Sequence, residues 1–228
     1  MLTRDRDETR LPGILSLTTL VLTAIWLALL VAGIVRDGPV ETLDQALAVA
    51  SRMDALFTLT YLNAALITLV VTALFAALTA RYRDVAPVWS MVALCFVPPY
   101  TTLNLIAYLS QVAIVPRLLA LGQASADPAA TAILLAQMLQ QWPGSLVSVL
   151  NNLAYAVLGV PSVIFGVLLY RETRAGGALL ALNGVACAVG FAGIIADSAA
   201  LSLGSVAGGV LFLCALIPVT RQLWRGHV

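Results

Sequence analysis

The residues of this chain that could take part in chemistry are polar side chains spaced along three apolar segments. Steps of mostly three, four or seven residues place the polar side chains of each segment on one face of a helix. The members are Asp54, Thr58, Tyr61, Thr68 and Thr72; then Thr101, Asn104, Tyr108 and Gln111; then Ser145, Ser148, Asn152 and Tyr155, with Asn151 adjacent. We call these three faces the polar seams. Because polar groups that face lipid are costly, we expect the seams to turn toward the interior of a helix bundle.

These side chains are suited to hydrogen bonding, and the chain lacks the usual partners for catalysis within a membrane. All twelve basic residues are arginine, so no lysine is available for a Schiff base. The one histidine, His227, is next to last, too far from the apolar segments to serve as a base for their serines or to ligate a metal there. The cysteines, Cys95, Cys187 and Cys214, have no zinc or redox spacing. We expect no catalytic residue, metal site or cofactor, and the inventory leans against an enzyme.

The elements that must position the seams are helices long enough to cross a membrane. The chain is 61% hydrophobic and 10% charged, against about 25% charged in an average soluble domain. Its apolar residues fall into runs of about 20, the length that crosses a bilayer. The runs are 14–35, 55–80, 88–115, 146–170, 177–196 and 203–219. The fold class predicted is therefore all-α: a polytopic bundle of six transmembrane helices forming a single membrane domain over residues 1–228.

The placement of arginine predicts how the bundle is oriented, because positively charged flanks resist translocation. If the N-terminus is cytoplasmic, nine arginines flank the spans inside and three lie outside. The nine are Arg4, Arg6, Arg10, Arg81, Arg83, Arg171, Arg174, Arg221 and Arg225, and the three are Arg36, Arg52 and Arg117. We expect both termini in the cytoplasm. The lysine-free, alanine-rich composition is typical of a high-GC bacterium, so the predicted location is the bacterial inner membrane.

The first two outer connections are long, and each contains its own helix signal. Asp37-Gly38-Pro39 precedes residues 40–53, and Asp127-Pro128 precedes residues 129–142, with aspartate as an N-cap in the second case. Both segments are predicted to be short amphipathic exoplasmic helices that lie on the membrane surface or over the mouth of the bundle. The alternative is that they are ordered linkers without a gating role.

Small residues predict close packing of the last two spans. Gly204 and Gly208 are four residues apart, and Ala188, Ala192 and Ala196 repeat that spacing on the preceding span. Small residues at such intervals let helix backbones approach closely. We expect these two faces to meet.

The predicted topology places the most polar part of each seam in the outer half of the membrane. Asp197, at the outer end of the fifth span, joins them. This asymmetry predicts a polar cavity open to the outside. The candidate ligand-binding residues are Asp54, Thr58, Tyr61, Asn104, Tyr108, Gln111, Asn151, Asn152, Tyr155 and Asp197. The alternative is that these groups only hydrogen-bond between helices and stabilise the bundle.

Two features resemble a family of bacterial six-span membrane proteins, a domain of unknown function. They are the outer helix at 40–53 that leads directly into the second span, and the sequence Asn-Leu-Ala-Tyr-Ala-Val-Leu-Gly-Val-Pro at 152–161. The resemblance covers most of the chain as a pattern and implies the topology. It implies no activity and no functional residues.

Three functions stay open at this point. The leading hypothesis is a non-enzymatic membrane protein whose outward-facing polar pocket binds a small or amphiphilic ligand, for sensing or transport. The second is a structural or assembly subunit of a membrane complex, and the third is an enzyme acting on a lipid or isoprenoid. The net charge of +1, without a long charged run, argues against nucleic-acid binding. The expected partners are membrane lipid and a small amphiphilic ligand, and no protein partner is identified by the sequence.

Overall fold

A computed structural model describes residues 6–124 and 128–225, and within these ranges the chain is all-helical, with no strand. Helix accounts for 88% of the structure. The helices are α1 (Arg6–Asp37), α2 (Leu43–Arg52), α3 (Ala55–Tyr82), α4 (Pro87–Ala113), α5 (Val115–Ala124), α6 (Pro128–Met138), α7 (Leu146–Leu169), α8 (Arg174–Ile195) and α9 (Ala199–Arg225).

These helices form six stretches that are long and apolar enough to cross a bilayer, one of which joins α4 and α5. This confirms the predicted fold class. They are Arg10–Asp37, Ala55–Tyr82, Pro87–Ala124, Leu146–Leu169, Arg174–Ile195 and Ala199–Trp224. These are the helices of a multi-pass integral membrane protein. That the chain forms a single membrane domain stays a prediction.

The third stretch is longer than its predicted span because the chain resumes a helix immediately after α4. The Leu118 amide donates to the Ile114 carbonyl (3.0 Å), and α5 continues to Ala124. Pro116 lies in the first turn of α5, where its missing N–H leaves no helical hydrogen bond unmade. The predicted third span ends at residue 115, and the sequence did not predict α5.

The chain folds into two compact units. Of the described residues, the first contains 6–21, 69–101 and 152–225, and the second contains 22–68, 102–124 and 128–151. Helices α8 and α9 therefore belong to the first unit, and the short helices α2, α5 and α6 belong to the second.

In the first unit, α7, α8 and α9 are in contact through glycines. A methyl group on Gly166 would lie 2.6 Å from the Ala181 amide nitrogen, and one on Gly177 would lie 2.5 Å from the Gly166 carbonyl oxygen. Approaches of this kind leave no room for a side chain at either position. The helices therefore pack backbone against backbone.

The face of α8 that meets α9 differs from the predicted one. Gly204 approaches the backbone of Gly190, and Gly208 approaches Cys187. The predicted partners on α8 (Ala188, Ala192 and Ala196) are exposed instead. Glycine carries no Cβ, so the face that contains Gly190 and Gly193 allows a closer approach than an alanine face on the same helix.

In the second unit, the short helices cover an apolar core. Ala46 and Ala50 of α2 are buried, and the core continues through Phe57, Tyr61 and Ala64 of α3. The partners on α4, α5 and α6 and in the turn after α6 are Tyr108, Val115, Leu135 and Leu139.

Both predicted short helices exist, with shorter bounds. Helix α2 begins after Thr42, which forms a capping box with Gln45. Helix α6 ends at Met138, so Gln140 lies in the turn that follows. It buries Leu135 and exposes Ile133 and Leu134. The predicted N-cap of this helix, Asp127, lies outside the described residues, as does His227.

Candidate functional site

Asp54 belongs to a cluster of charged residues where α1 and α2 end and α3 begins. Its carboxylate accepts a hydrogen bond from the Phe57 amide (2.9 Å), the geometry of a helix N-cap. It also pairs with Arg36, which forms a second pair with Asp37 (2.7 Å). Asp37 in turn pairs with Arg52. We call Arg36, Asp37, Arg52 and Asp54 the ion-pair cluster.

The Phe57 amide and Arg36 together favour the charged form of Asp54. The hydrogen bond from the Phe57 amide, followed by the hydrogen bond and charge of Arg36, holds the Asp54 pKa below its ordinary value. Asp54 is therefore an anion at neutral pH, with one oxygen capping α3 and the other on Arg36. These contacts give both carboxylate oxygens of Asp54 a partner without a bound cation. Thr58, one turn further along α3, is half-buried.

Tyr61, Tyr108 and Gln111 lie around the turn that follows α6. The Tyr61 hydroxyl donates to the Gln140 side-chain carbonyl (3.2 Å), and the rings of Tyr61 and Tyr108 are 6.5 Å apart. The fully buried side-chain amide of Gln111 donates to the Met138 backbone carbonyl (2.8 Å). Its side-chain oxygen accepts a hydrogen bond from the Gln140 backbone amide (3.2 Å). The structure brings these three predicted residues together. Gln111 uses its side chain to satisfy the backbone at the end of α6.

Asn104 differs from the other members of its seam. It is 0% exposed, and neither its amide nitrogen nor its amide oxygen has a hydrogen-bond partner among the described residues. Asn151, which is 7% exposed, likewise has an amide oxygen that is unpaired within the described ranges. Buried polar groups in proteins almost always have a partner, so these two amides need an explanation that Gln111 does not.

The remaining three predicted residues, Asn152, Tyr155 and Asp197, belong to the first unit. Asn152 and Tyr155 are half-buried and both have interaction partners, and the Tyr155 ring is 6.4 Å from that of Tyr100. Asp197 is exposed in the turn between α8 and α9 and adopts a left-handed backbone conformation (φ 49°). The following Ser198 amide donates to the Gly193 carbonyl (2.8 Å), as in a helix-terminating turn.

Sequence reasoning missed a second polar cluster, in the first unit. Glu172, just after α7, accepts hydrogen bonds from Arg81 (2.9 Å) and from the Tyr82 hydroxyl (2.5 Å) at the end of α3. About 90 residues separate the partners, and no local spacing could have indicated the pair. It also missed the buried hydroxyls of Ser90, Ser162 and Ser205, which are unpaired among the described residues.

The structure also contains a hollow in the first unit, and its lining is apolar. The lining residues are Leu74, Phe75, Leu78, Leu180, Phe212, Ala215, Leu216 and Val219. None of the ten predicted ligand-binding residues belongs to it. Among residues 6–124 and 128–225, no group of three His, Cys, Asp or Glu side chains is arranged to hold a metal ion.

Comparisons with known proteins give no indication of the function of this chain. No family model, no curated protein and no solved structure matches this chain. The resemblance to a bacterial six-span family therefore stays a prediction. What the fold establishes is that the chain is a multi-pass integral membrane protein with six apolar helices.

Proposed function

We propose that this protein binds a small or amphiphilic ligand at a polar site centred on Asn104, for sensing or transport across the membrane. The observation that carries the proposal is the Asn104 side chain, which is completely buried and unpaired at both ends among the described residues. Leaving a buried amide without a partner costs about 1–3 kcal/mol. A ligand that pairs with the amide recovers that energy on binding.

The surroundings of Asn104 support a site rather than an isolated defect. Tyr108 and Gln111 follow on the same face of α4 and are also buried. The ring of Tyr61 lies 6.5 Å from that of Tyr108, which is one helical turn from Asn104 on α4. Aromatic rings with a few polar groups are the usual lining of small-molecule sites.

The two charged candidates, Asp54 and Asp197, are not part of the proposed site. Asp54 is engaged by Phe57 and Arg36, and Asp197 forms a turn. We therefore narrow the site to Tyr61, Asn104, Tyr108 and Asn151, with Gln111 as its support. Thr58, Asn152 and Tyr155 belong to the wider predicted set and lie outside this narrower site.

The predicted orientation of the bundle indicates on which side of the membrane the proposed site lies. Arginine placement predicts that residues 36–54 and 116–145 lie outside a bacterial inner membrane, so the proposed site would lie in the outer half of the bundle. Lipid is the expected partner of α1, because large apolar side chains such as Val21, Val31 and Ile34 are about half exposed along it.

Native mass spectrometry of the full chain released from nanodiscs tests the proposal. Wild-type protein should retain a small molecule, and Asn104→Leu should lose it because the amide is gone. The matched control is Asn63→Leu, since the Asn63 amide is already bonded to the Leu22 carbonyl (3.0 Å). Asn63→Leu should retain the molecule. Wild-type protein without any retained molecule, or equal retention in Asn104→Leu, would contradict the proposal.

The second candidate function is a structural or assembly subunit of a membrane complex. It is favoured by the number of polar side chains that are already bonded to other helices or turns, such as Gln111 to the Met138 carbonyl and Asn183 to the Gly208 carbonyl (2.9 Å). In the same measurement this function gives a retained protein subunit instead of a small molecule.

A further inference from the structure

The unpaired amides of Asn104 and Asn151 lie on two helices, α4 and α7, that are tied to the same short segment of the second unit. Gln111, near the end of α4, donates to the Met138 carbonyl (2.8 Å). Leu146, the first residue of α7, donates its amide to the side-chain carbonyl of Gln137 (3.2 Å). The end of α4 and the start of α7 therefore both lie beside residues 137–138.

Asn104 and Asn151 lie at similar distances from that segment, measured along their own helices. Asn104 precedes Gln111 by seven residues, and Asn151 follows Leu146 by five. At 1.5 Å per residue, these are displacements of about 10 Å and about 8 Å along the two helix axes. Helices α4 and α7 are neighbours, since the rings of Tyr100 and Tyr155 are 6.4 Å apart.

The two side chains do not satisfy one another. Both amide atoms of Asn104 and the amide oxygen of Asn151 are without a partner among the described residues, so no hydrogen bond joins them through these atoms. Together they offer at least one donor and two acceptors. A group that both accepts and donates, such as a hydroxyl or a primary amide, fits that requirement.

The helices that carry the two amides contain no charged residue. Helix α4 (Pro87–Ala113) and helix α7 (Leu146–Leu169) consist only of apolar and uncharged polar residues. The charged side chains of the ion-pair cluster are bonded to one another. An ion buried between two uncharged helices would lose its hydration without gaining a counter-charge.

We infer that Asn104 and Asn151 form one buried site that binds an uncharged hydroxyl or amide group and excludes ions. The inference rests on the proposed function, of which it specifies the chemical class of ligand. The ligand would be a neutral amphiphile whose polar group reaches these two amides. Water is the competing occupant, since it has the same hydrogen-bonding capacity.

The test uses four probes with the same eight-carbon chain and different polar groups: 1-octanol, octanamide, octanoate and octylamine. Thermal unfolding of the full chain in nanodiscs at pH 7 is measured with each. Octanol or octanamide should raise the Tm of the wild type by at least about 2 °C more than either charged probe. The difference should disappear in Asn104→Leu and in Asn151→Leu and persist in Asn63→Leu.

Each other outcome overturns the inference. A charged probe that stabilises as well as the neutral ones contradicts exclusion of ions. The absence of any probe-dependent shift contradicts binding of a hydroxyl or amide group at the site. The wild-type comparison is decisive even where a leucine variant does not fold. If native mass spectrometry shows an Asn104-dependent molecule while charged probes stabilise best, the proposed function stands and the inference falls.

Discussion

In the first unit, α7, α8 and α9 are held together by glycines, whereas the second unit is held by large side chains and hydrogen bonds. Around Gly166, Gly177 and Gly190 the backbones themselves are in contact. In the second unit, Tyr61 and Gln111 reach across to the turn after α6. Backbone contact around these glycines leaves no room for a side chain. The second unit instead packs through polar side chains and contains the amides of Asn104 and Asn151, which are unpaired among the described residues and form the basis of the proposed site.

The largest expected effect is at a glycine of the first unit. A Cβ on Gly190 would collide with the backbone nitrogen of Ser205, so Gly190→Ala should destabilise the protein by about 3 kcal/mol. A shift in Tm on the order of 10 °C should follow, measured by thermal unfolding in detergent. Gly209→Ala is the matched control, since nothing lies within 4 Å of a Cβ there. Equal stability of the two variants would refute backbone packing at Gly190.

The next effect is at the hydrogen-bonded support of the second unit. Gln111→Leu removes the bonds to the Met138 carbonyl and the Gln140 amide, leaving half-buried backbone groups unpaired. We expect a loss of about 2 kcal/mol. The exposed Gln123 on α5 provides the control, Gln123→Leu, which should change the Tm little. If Gln111→Leu were as stable as that control, the polar contacts would not hold the second unit together.

A smaller effect concerns the ion-pair cluster and its dependence on pH. The folded-state pKa of Asp54 is lower than its ordinary value of 3.8. Its contribution to stability is therefore present above about pH 4 and is lost as the pH falls through the folded-state pKa. Asp54→Ala should lower stability at pH 7 by about 1 kcal/mol through loss of the cap on α3, and should lose less stability than the wild type on acidification.

Asp54→Asn separates the two roles of this residue. Asparagine is as good an N-cap as aspartate, so this variant keeps the hydrogen bond to the Phe57 amide and loses the charge pair with Arg36. Its Tm at pH 7 should lie between those of the wild type and Asp54→Ala. A Tm equal to that of Asp54→Ala would show that the ion pair, and not the cap, is what matters.

The smallest effect is expected at Asp197. Its left-handed backbone (φ 49°) suits glycine, so Asp197→Gly should leave stability unchanged or raise it by about 0.5 kcal/mol. Ligand retention in native mass spectrometry should also be unchanged. A fall in retention without a fall in Tm would return Asp197 to the ligand site that the sequence predicts.

Much of the fold could be predicted from the sequence, because runs of about 20 apolar residues can satisfy their backbone in lipid only as helices. The exact packing could not. Helix α5 begins at Val115, where the predicted third span ends, and the sequence did not predict it. The glycine face of α8 was overlooked in favour of the alanine face at Ala188 and Ala192. The choice between two faces of one helix depends on which partner approaches it.

For the candidate site as well, the sequence predicted one part and the tertiary structure decided the other. The spacing of Asn104, Tyr108 and Gln111 was enough to place them on one face of α4, and their burial agrees with that. Only the tertiary structure decided that Gln111 is bonded to the end of α6 while Asn104 has no partner among the described residues. Hydrogen-bond partners come from segments distant in sequence, so spacing along one helix fixes which way a polar group faces but not whether it is satisfied.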